Sequence, residues 1–351
     1  MSVERGLVDR FEALSIATPV GVLLGITLVA VALTFFLAPG LVIYPLAAFA
    51  LVVVYGVFNE QGTTARVLAL AATVVTVLVL GLITIYLVVQ SIPAFRLMGL
   101  DILTKTGGAL WDPSAEIYSL VPMMWGTLVT TLIATAIAAP LGVAGAVFIA
   151  EMAPDWARGL LKPAVEALAG IPSIVYGFIG FVVLNPFMAE EFSLPTFGSL
   201  FVVGIVIGAM ALPTVVSVAE DAIASVPGPM KDGSLALGAT DWQTTTAVTL
   251  PAAFSGVSAA VLLGIGRAVG ETMAATVILA HAQALPDPLY DVFGNTETLT
   301  SLIASQYGIA SGSQMSALFA AGVVLFVTVL GLSIGSQYVE RRMERTLGGD
   351  T

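Results

Sequence analysis

The sequence predicts an all-α polytopic membrane protein of about eight spans, and three observations predict it. Apolar residues fill 58% of the 351 positions and charged residues only 10%, against about 45–50% and about 25% in soluble domains. The apolar residues gather into runs near the roughly 20 residues that carry a helix across about 30 Å of hydrocarbon. Lysine and arginine fall almost wholly on one side when those runs are made to alternate across a membrane.

The runs, marked off by their polar breaks, are 13–37, 41–58, 63–89, 120–149, 160–184, 200–218, 252–280 and 316–338. Pro39 and Gly40 separate the first two, as a tight helical hairpin requires. The first run is too long for a signal peptide, and no small-residue cleavage site leads from it into a soluble domain, so it reads as a retained helix. Pro140-Leu141-Gly142 inside the fourth run predicts a kink or a short second helix. With the N-terminus in the cytoplasm, Arg5, Arg10, Arg66, Arg158, Lys162, Lys231, Arg341, Arg342 and Arg345 fall inside. Arg96 and Lys105 fall outside, and Arg267 lies within a span. Both termini are therefore expected in the cytoplasm of a multi-pass plasma-membrane protein. The outer segments 91–119, 188–199 and 282–314 carry acids including Asp112, Glu116, Asp287, Asp291 and Glu297. Three parts result: a two-helix extension over 1–62, a membrane domain over 63–345 with a cytoplasmic loop over 220–251, and a tail over 346–351.

Composition also excludes. A net charge of −11 repels nucleic acid. With no cysteine and one histidine, His281, there is no thiolate chemistry and no histidine-rich metal site. No catalytic set and no metal site is expected. The acidic excess fits either a halophilic source, whose carboxylate surface stays hydrated in strong salt, or acidic external loops. No Gly-x-x-x-x-Gly-Lys-Ser/Thr loop is present, so this chain does not bind ATP in that manner.

The largest inner interruption runs from Glu220 to Pro251. Pro227 and Pro229 can begin a helix, Asp232 and Ser234 suit its first turn or cap, and Gly238 suits its stop. Asp241 can cap a second helix carrying Trp242 and Val248, and Pro251 marks the start of the next span. The first short helix would expose Leu235 and Leu237, to lipid headgroups or to a protein groove.

The pattern Asp232-Gly233-Ser234, Gly238, then Val248 and Leu250-Pro251 resembles the EAA signature of ABC importer permease subunits, with Asp-Gly-Ser in place of Glu-Ala-Ala. Gly126-Thr127-Leu128 followed by Pro140-Leu141-Gly142 looks like the start of that family's core. The segment from Gly170 through Pro172 to Gly177-Phe178 resembles the GIPSVVYG stretch of phosphate permeases. Leu212-Pro213, Glu220-Asp221 and Val226-Pro227 resemble their approach to the loop. Gly266-Arg267-Ala268-Val269-Gly270-Glu271-Thr272-Met273-Ala274 resembles their GRALGETMA segment, in the form of the PstC type rather than the paralogous PstA type. The resemblance covers about 63–345. It implies a type I importer core of six helices preceded by an extra N-terminal pair. It implies a coupling helix at Asp232, Gly233, Ser234 and Gly238, closed by Leu250 and Pro251, that docks on an ATPase. The implied partners are a paralogous permease, two ATPase subunits holding ATP and magnesium, and an external phosphate-binding protein. No cofactor is implied on this chain itself.

Arg267 and Glu271 lie four apart in an apolar run, which on a helix places them on one face. A charge at the bilayer centre costs about 2.5–3.5 kcal/mol or more, so both should face the bundle interior or each other. Gly264, Gly266 and Gly270 leave room for close helix approach or for a small ligand. A guanidinium matches phosphate oxygens in a two-point fork, so Arg267 suits a transient oxyanion contact, with Glu271 orienting it. The alternative is an ion pair that only locks two helices. Gly170, Pro172 and Gly177 could break a helix beside the pathway or form a packing kink. Glu151 is expected to be cytoplasmic and solvated, with a coupling role as the alternative, His281 an ordinary interfacial residue, and Trp111, Trp125 and Trp156 interface anchors. A permease for another oxyanion or a phosphonate stays open at this stage, as does an ion-coupled secondary transporter using Arg267 and Glu271. An intramembrane enzyme lacks a catalytic set.

Overall fold

The computed structural model describes residues 18–192 and 198–347, with side chains up to 338. Residues 13–17 of the first run, Arg5 and Arg10, the side chains of Arg341, Arg342 and Arg345, and the last four residues of the tail lie outside the described set. Among the described residues seven helices are long and apolar enough to cross a membrane, or eight when one bent pair is taken as a span. The expected eight spans are therefore present, with two of them redrawn.

The chain divides into two compact units, Met1–Tyr86 and Leu87–Thr351. In the first, α1 (Pro19–Leu37) starts where the Thr18 hydroxyl accepts the Gly21 N–H at 3.2 Å and proline occupies a first-turn position. A turn at Pro39–Leu41 leads into α2 (Ile43–Asn59), the hairpin that Pro39-Gly40 predicted. Val20, Leu24 and Val67 form its small buried cluster. α3 (Gln61–Met98) gives residues 61–86 to this unit and the rest to the next; it is longer than its apolar run and carries Arg96 in its last turn.

In the second unit, an outer-segment turn at Asp101–Thr104 and a two-residue antiparallel hairpin, Trp111–Asp112 with Ile117–Tyr118, precede α4 (Val121–Met152). α4 passes Pro140 without a break and ends in a π turn at Phe148–Met152. No second helix separates at Pro140, and a wider turn follows two helical turns later. α5 (Asp155–Ala169) and α6 (Ser173–Glu191) follow, then α7 (Leu200–Ala224), which Ser199 caps by accepting the Val202 N–H at 3.1 Å. α8 (Gly228–Ala236), α9 (Asp241–Ala252), α10 (Phe254–Gly270), α11 (Met273–Ile278), α12 (Leu299–Gln306) and α13 (Gly312–Leu347) complete the chain. α9 and α10 meet at a 73° bend.

The expected span at 160–184 is corrected. Gly170 and Pro172 interrupt it, leaving α5 as a separate helix and moving the long apolar helix to 173–191. The physical reason is local: proline at 172 lacks the N–H a continuing helix would need and disfavours helical backbone in the residue before it. The two pieces still run along one neighbour. Lys162 of α5 reaches Glu220 and Asp221 at one end of α7, and Gly180 of α6 packs on Val206 toward the other.

α7 is the centre of the unit, packed against α4 and α10. Leu200, Val203, Ile207 and Met210 are buried with Ala134, Ala268 and Ala275. Toward the other end Ala219 and Ile223 join Ala146, Val147 and Ala260. A Cβ at Gly142 or at Gly264 would lie 2.6 Å from a Val215 methyl, so both glycines let helix backbones approach at van der Waals range. Gly264→Leu is accordingly expected to cost about 1–3 kcal/mol through overpacking. Size-exclusion profiles of the detergent-extracted protein should show a reduced monodisperse fraction.

Candidate functional site

The sequence placed Arg267 and Glu271 on one helical face. The structure separates them. α10 stops at Gly270, and Glu271 is extended, with φ −66° and ψ 126°. Its Oε1 accepts the Ala274 N–H at 3.1 Å and its carbonyl accepts the Thr300 hydroxyl at 2.7 Å. Glu271 therefore shields the start of α11, where free N–H groups favour an anion. Among the described residues neither Arg267 nor Glu271 is in an ion pair. The expected i, i+4 pair fails because the helix between them is broken.

Arg267 is left with a buried Nε that has no hydrogen-bond partner. Its side chain borders a cavity of about 540 Å³ between α7, α10 and α13, lined also by Thr214, Gly266, Ser333, Ser336 and Gln337. A Cβ at Gly266 or Gly270 would meet nothing within 4 Å, so these two glycines open space while Gly264 closes it. The cavity thus joins one cation to hydroxyl and amide groups in a wall that Ala259, Leu262 and Leu263 make largely apolar.

The second helix break lies beside the first. Gly170 and Pro172 precede α6, and a Cβ at Gly177 would sit 2.8 Å from the Cα of Ala274 in α11. Gly177 is therefore a packing position rather than part of the break. Two interrupted helices meet here, α5 with α6 and α10 with α11.

At one end of the bundle the loop between α7 and α10 takes its expected form with local corrections. Pro227 flanks α8 and Pro229 lies in its first turn. Asp232 and Gly233 fall inside the helix, and Ser234 is not a cap; its hydroxyl bonds Thr244 Oγ1 at 3.1 Å. Gly238 has φ +92°, the left-handed turn that ends the helix cheaply only as glycine. The cap of α9 is Thr240, with Gln243 completing a capping box, and not Asp241, which is the first helical residue. Leu250 and Pro251 close α9. Leu237 is 92% exposed, with Leu235, Met230 and Trp242 also exposed, so the loop presents an apolar surface.

The profile of the family described as binding-protein-dependent transport system inner membrane component matches residues 142–345. The chain belongs to that family. The probable ABC transporter permease protein YqgH of Bacillus subtilis is 40% identical over 266 residues, 75% of this chain and 85% of the relative. The phosphate transport system permease protein PstC of Haemophilus influenzae is 36% identical over 299 residues, 80% and 93% of the two chains. Methanocaldococcus jannaschii has a probable phosphate transport system permease protein PstC at 32% identity over 302 residues, 80% and 94%. Among solved structures, the inward-facing MetNI methionine ABC transporter matches with a TM-score of 0.52 at 21% identity, covering 67% of this chain and 100% of that one. A bacterial ABC transporter that imports alginate gives 0.50 at 17% identity, covering 79% and 96%. These likenesses show the type I importer permease fold. The chain is a multi-pass permease subunit of an ABC importer, and ATP hydrolysis belongs to a separate subunit.

The permease holds polar contacts that its sequence did not reveal. Glu151, expected in solvent, pairs with Lys231 of α8 at 2.6 Å. Lys162 pairs with Glu220 at 2.5 Å and Asp221 at 2.8 Å. Hydrogen bonds that the Lys162 ammonium donates to Asp221 and Glu220 raise it above its ordinary range, so its charge persists through neutral pH and its contribution is lost as pH rises into strong alkali. His281, expected as an ordinary interfacial residue, has φ +57° and places Nδ1 2.7 Å from Glu297 Oε1. Glu297, in the segment expected outside, is 0% exposed because His281, Ser305 and Gln283 surround its carboxylate. Trp125 Nε1 donates to the Leu289 carbonyl at 3.0 Å and Trp111 to Gln306 at 3.3 Å, while Trp156 stays exposed. The available signal was small: three lysines in the chain, each of which needs an anion if it is to be half-buried.

Proposed function

We propose that this permease forms part of the translocation path for inorganic phosphate, with Arg267 as the contact that the anion meets. The observation that carries the reading is the buried, unpartnered Arg267 Nε beside a cavity that also offers hydroxyl and amide groups. A half-buried guanidinium without a resident carboxylate keeps its donors for a passing oxyanion. Interrupted helices build substrate sites in many secondary transporters, and the two breaks here offer the same kind of exposed backbone. The relatives at 36% and 32% identity, a phosphate permease and a probable one, support the same substrate.

In this reading Glu271 is not the partner of Arg267. It holds the start of α11, fixing the end of the helix on which Arg267 sits. Gly170 and Pro172 make the neighbouring interruption, and Gly177 packs it in place. A paralogous permease of the PstA type completes the path. Two ATPase subunits, holding ATP and magnesium, dock on α8 around Asp232, Gly233, Ser234 and Gly238. An external phosphate-binding protein delivers the substrate. Lipid surrounds the spans, and no nucleic acid is involved. Both termini lie in the cytoplasm, so reporter fusions at Gln61 and Ser234 should read cytoplasmic and one at Asn295 external. An external signal at Ser234 would overturn that topology.

The substrate is tested in proteoliposomes holding the assembled importer, with ATP inside and binding protein outside. Uptake of labelled phosphate should require ATP, binding protein and the partner permease, and sulfate or a phosphonate should compete poorly. ATP-independent uptake by this chain alone would favour the ion-coupled alternative.

A further inference from the structure

α8 is held to the bundle by very little. None of its side chains is buried. Among the described residues two polar side-chain links leave it: Lys231 to Glu151 at 2.6 Å, and Ser234 to Thr244 at 3.1 Å. Residues 231 and 234 share a face, being three apart, while Met230 and Leu237 point their apolar groups outward. Thr244 belongs to α9, which itself meets α10 at a 73° bend. Only the ion pair reaches α4, a helix of the packed core.

Glu151 is prepared for that role. It sits in the π turn that ends α4, and Arg158 braces this turn by donating to the Ile149 carbonyl at 2.9 Å and the Ala150 carbonyl at 2.5 Å. The side chains of Lys231 and Glu151 are 22% and 13% exposed, so water screens the pair weakly. A contact of this kind contributes modest net stability but fixes geometry, and removing one partner strands the other.

We infer that the Lys231–Glu151 ion pair is the tether that makes α8 move with the core, so that both are positioning residues for coupling ATP hydrolysis to transport. The inference rests on the reading of α8 as the ATPase-docking helix. With the tether, motion of the ATPase reaches α4 directly as well as α10 through the bend. Without it, α8 follows the ATPase while the spans lag.

Two measurements on the complete importer test this. The chain has no cysteine, so nitroxide labels can be placed at Ala236→Cys on α8 and Leu141→Cys on α4 alone. Pulsed electron resonance should give one narrow distance in the parent. Lys231→Met and Glu151→Gln should broaden it, and Lys231→Arg should restore it. In proteoliposomes, phosphate carried per ATP hydrolysed should fall about tenfold in Lys231→Met and Glu151→Gln, a typical size for a coupling energy. ATP hydrolysis and co-purification of the ATPase should persist, and Lys231→Arg should recover most of the ratio. An unchanged distance distribution in both Lys231→Met and Glu151→Gln overturns the tether whatever the substrate. So does an unchanged transport ratio. Absence of phosphate uptake in the parent overturns the substrate reading instead, and the label distances still decide the tether.

Discussion

Arg267→Ala is expected to abolish phosphate uptake by the assembled importer, a loss of at least about a hundredfold, since a charge-assisted contact of about 1.5–3 kcal/mol disappears at each of several oxygens. Assembly should be spared. The reason is structural: among the described residues Arg267 has no ion-pair partner, so its removal strands no opposite charge. Glu271→Ala should behave differently. It leaves the Ala274 N–H unanswered and loosens the start of α11, so uptake should fall together with thermal stability. The double change Arg267→Leu with Glu271→Leu then separates two roles. A structural lock tolerates apolar replacement. A substrate contact does not, and the double variant should assemble yet carry no phosphate. Uptake at the parental rate in that variant would sink the pathway role.

The second large effect belongs to Gly238. Its φ of +92° is cheap for glycine and strained for any side chain. Nothing lies within 4 Å of a Cβ built there, so bulk alone is tolerated and the backbone is the whole constraint. Gly238→Leu should cost about 1–2 kcal/mol locally and tilt α8 against α9. Gly238→Pro should be worse, because proline cannot adopt positive φ and removes the N–H that donates to the Leu235 carbonyl at 2.9 Å. Pull-down of the ATPase subunit should weaken in both, more in the proline variant, while membrane insertion stays normal. Parental transport by either variant would exclude this turn from docking.

The number of spans, the N-terminal hairpin and the two short helices turned at Gly238 were legible because each depends on neighbours in sequence. Runs near 20 apolar residues, Pro39-Gly40 and Gly238 carry their own physics. Helix continuity was less legible. Pro140 is passed by α4 without a break, whereas Gly170 and Pro172 do divide α5 from α6. A proline inside tightly packed helices can be accommodated by relaxed turns nearby, and its own residue type does not tell the two outcomes apart. Glu271 was misplaced for a related reason. Periodicity continues through 267–278 although the backbone stops being helical at Gly270, because Thr300 and the Ala274 N–H offer Glu271 better partners. The pairs Lys231–Glu151, Lys162–Glu220 and His281–Glu297 join residues far apart in the chain, or held by an irregular loop, so local pattern could not reveal them.

The bend between α9 and α10 has a mechanical meaning. α9 is about 18 Å long at 1.5 Å per residue, and it lies closer to perpendicular than parallel to the span it feeds, at 73°. An arm set crosswise converts a sideways shove at its tip into a twist of the shaft. A swing of about 10° about Ala253 displaces the far end of an 18 Å arm by about 3 Å, and an equal rotation delivered to α10 would sweep the long Arg267 side chain across its cavity. In the proposed path, small travel at α8 matches the short reach of a guanidinium, and no span would need to slide along the membrane normal for the cation to be withdrawn from one side and offered to the other.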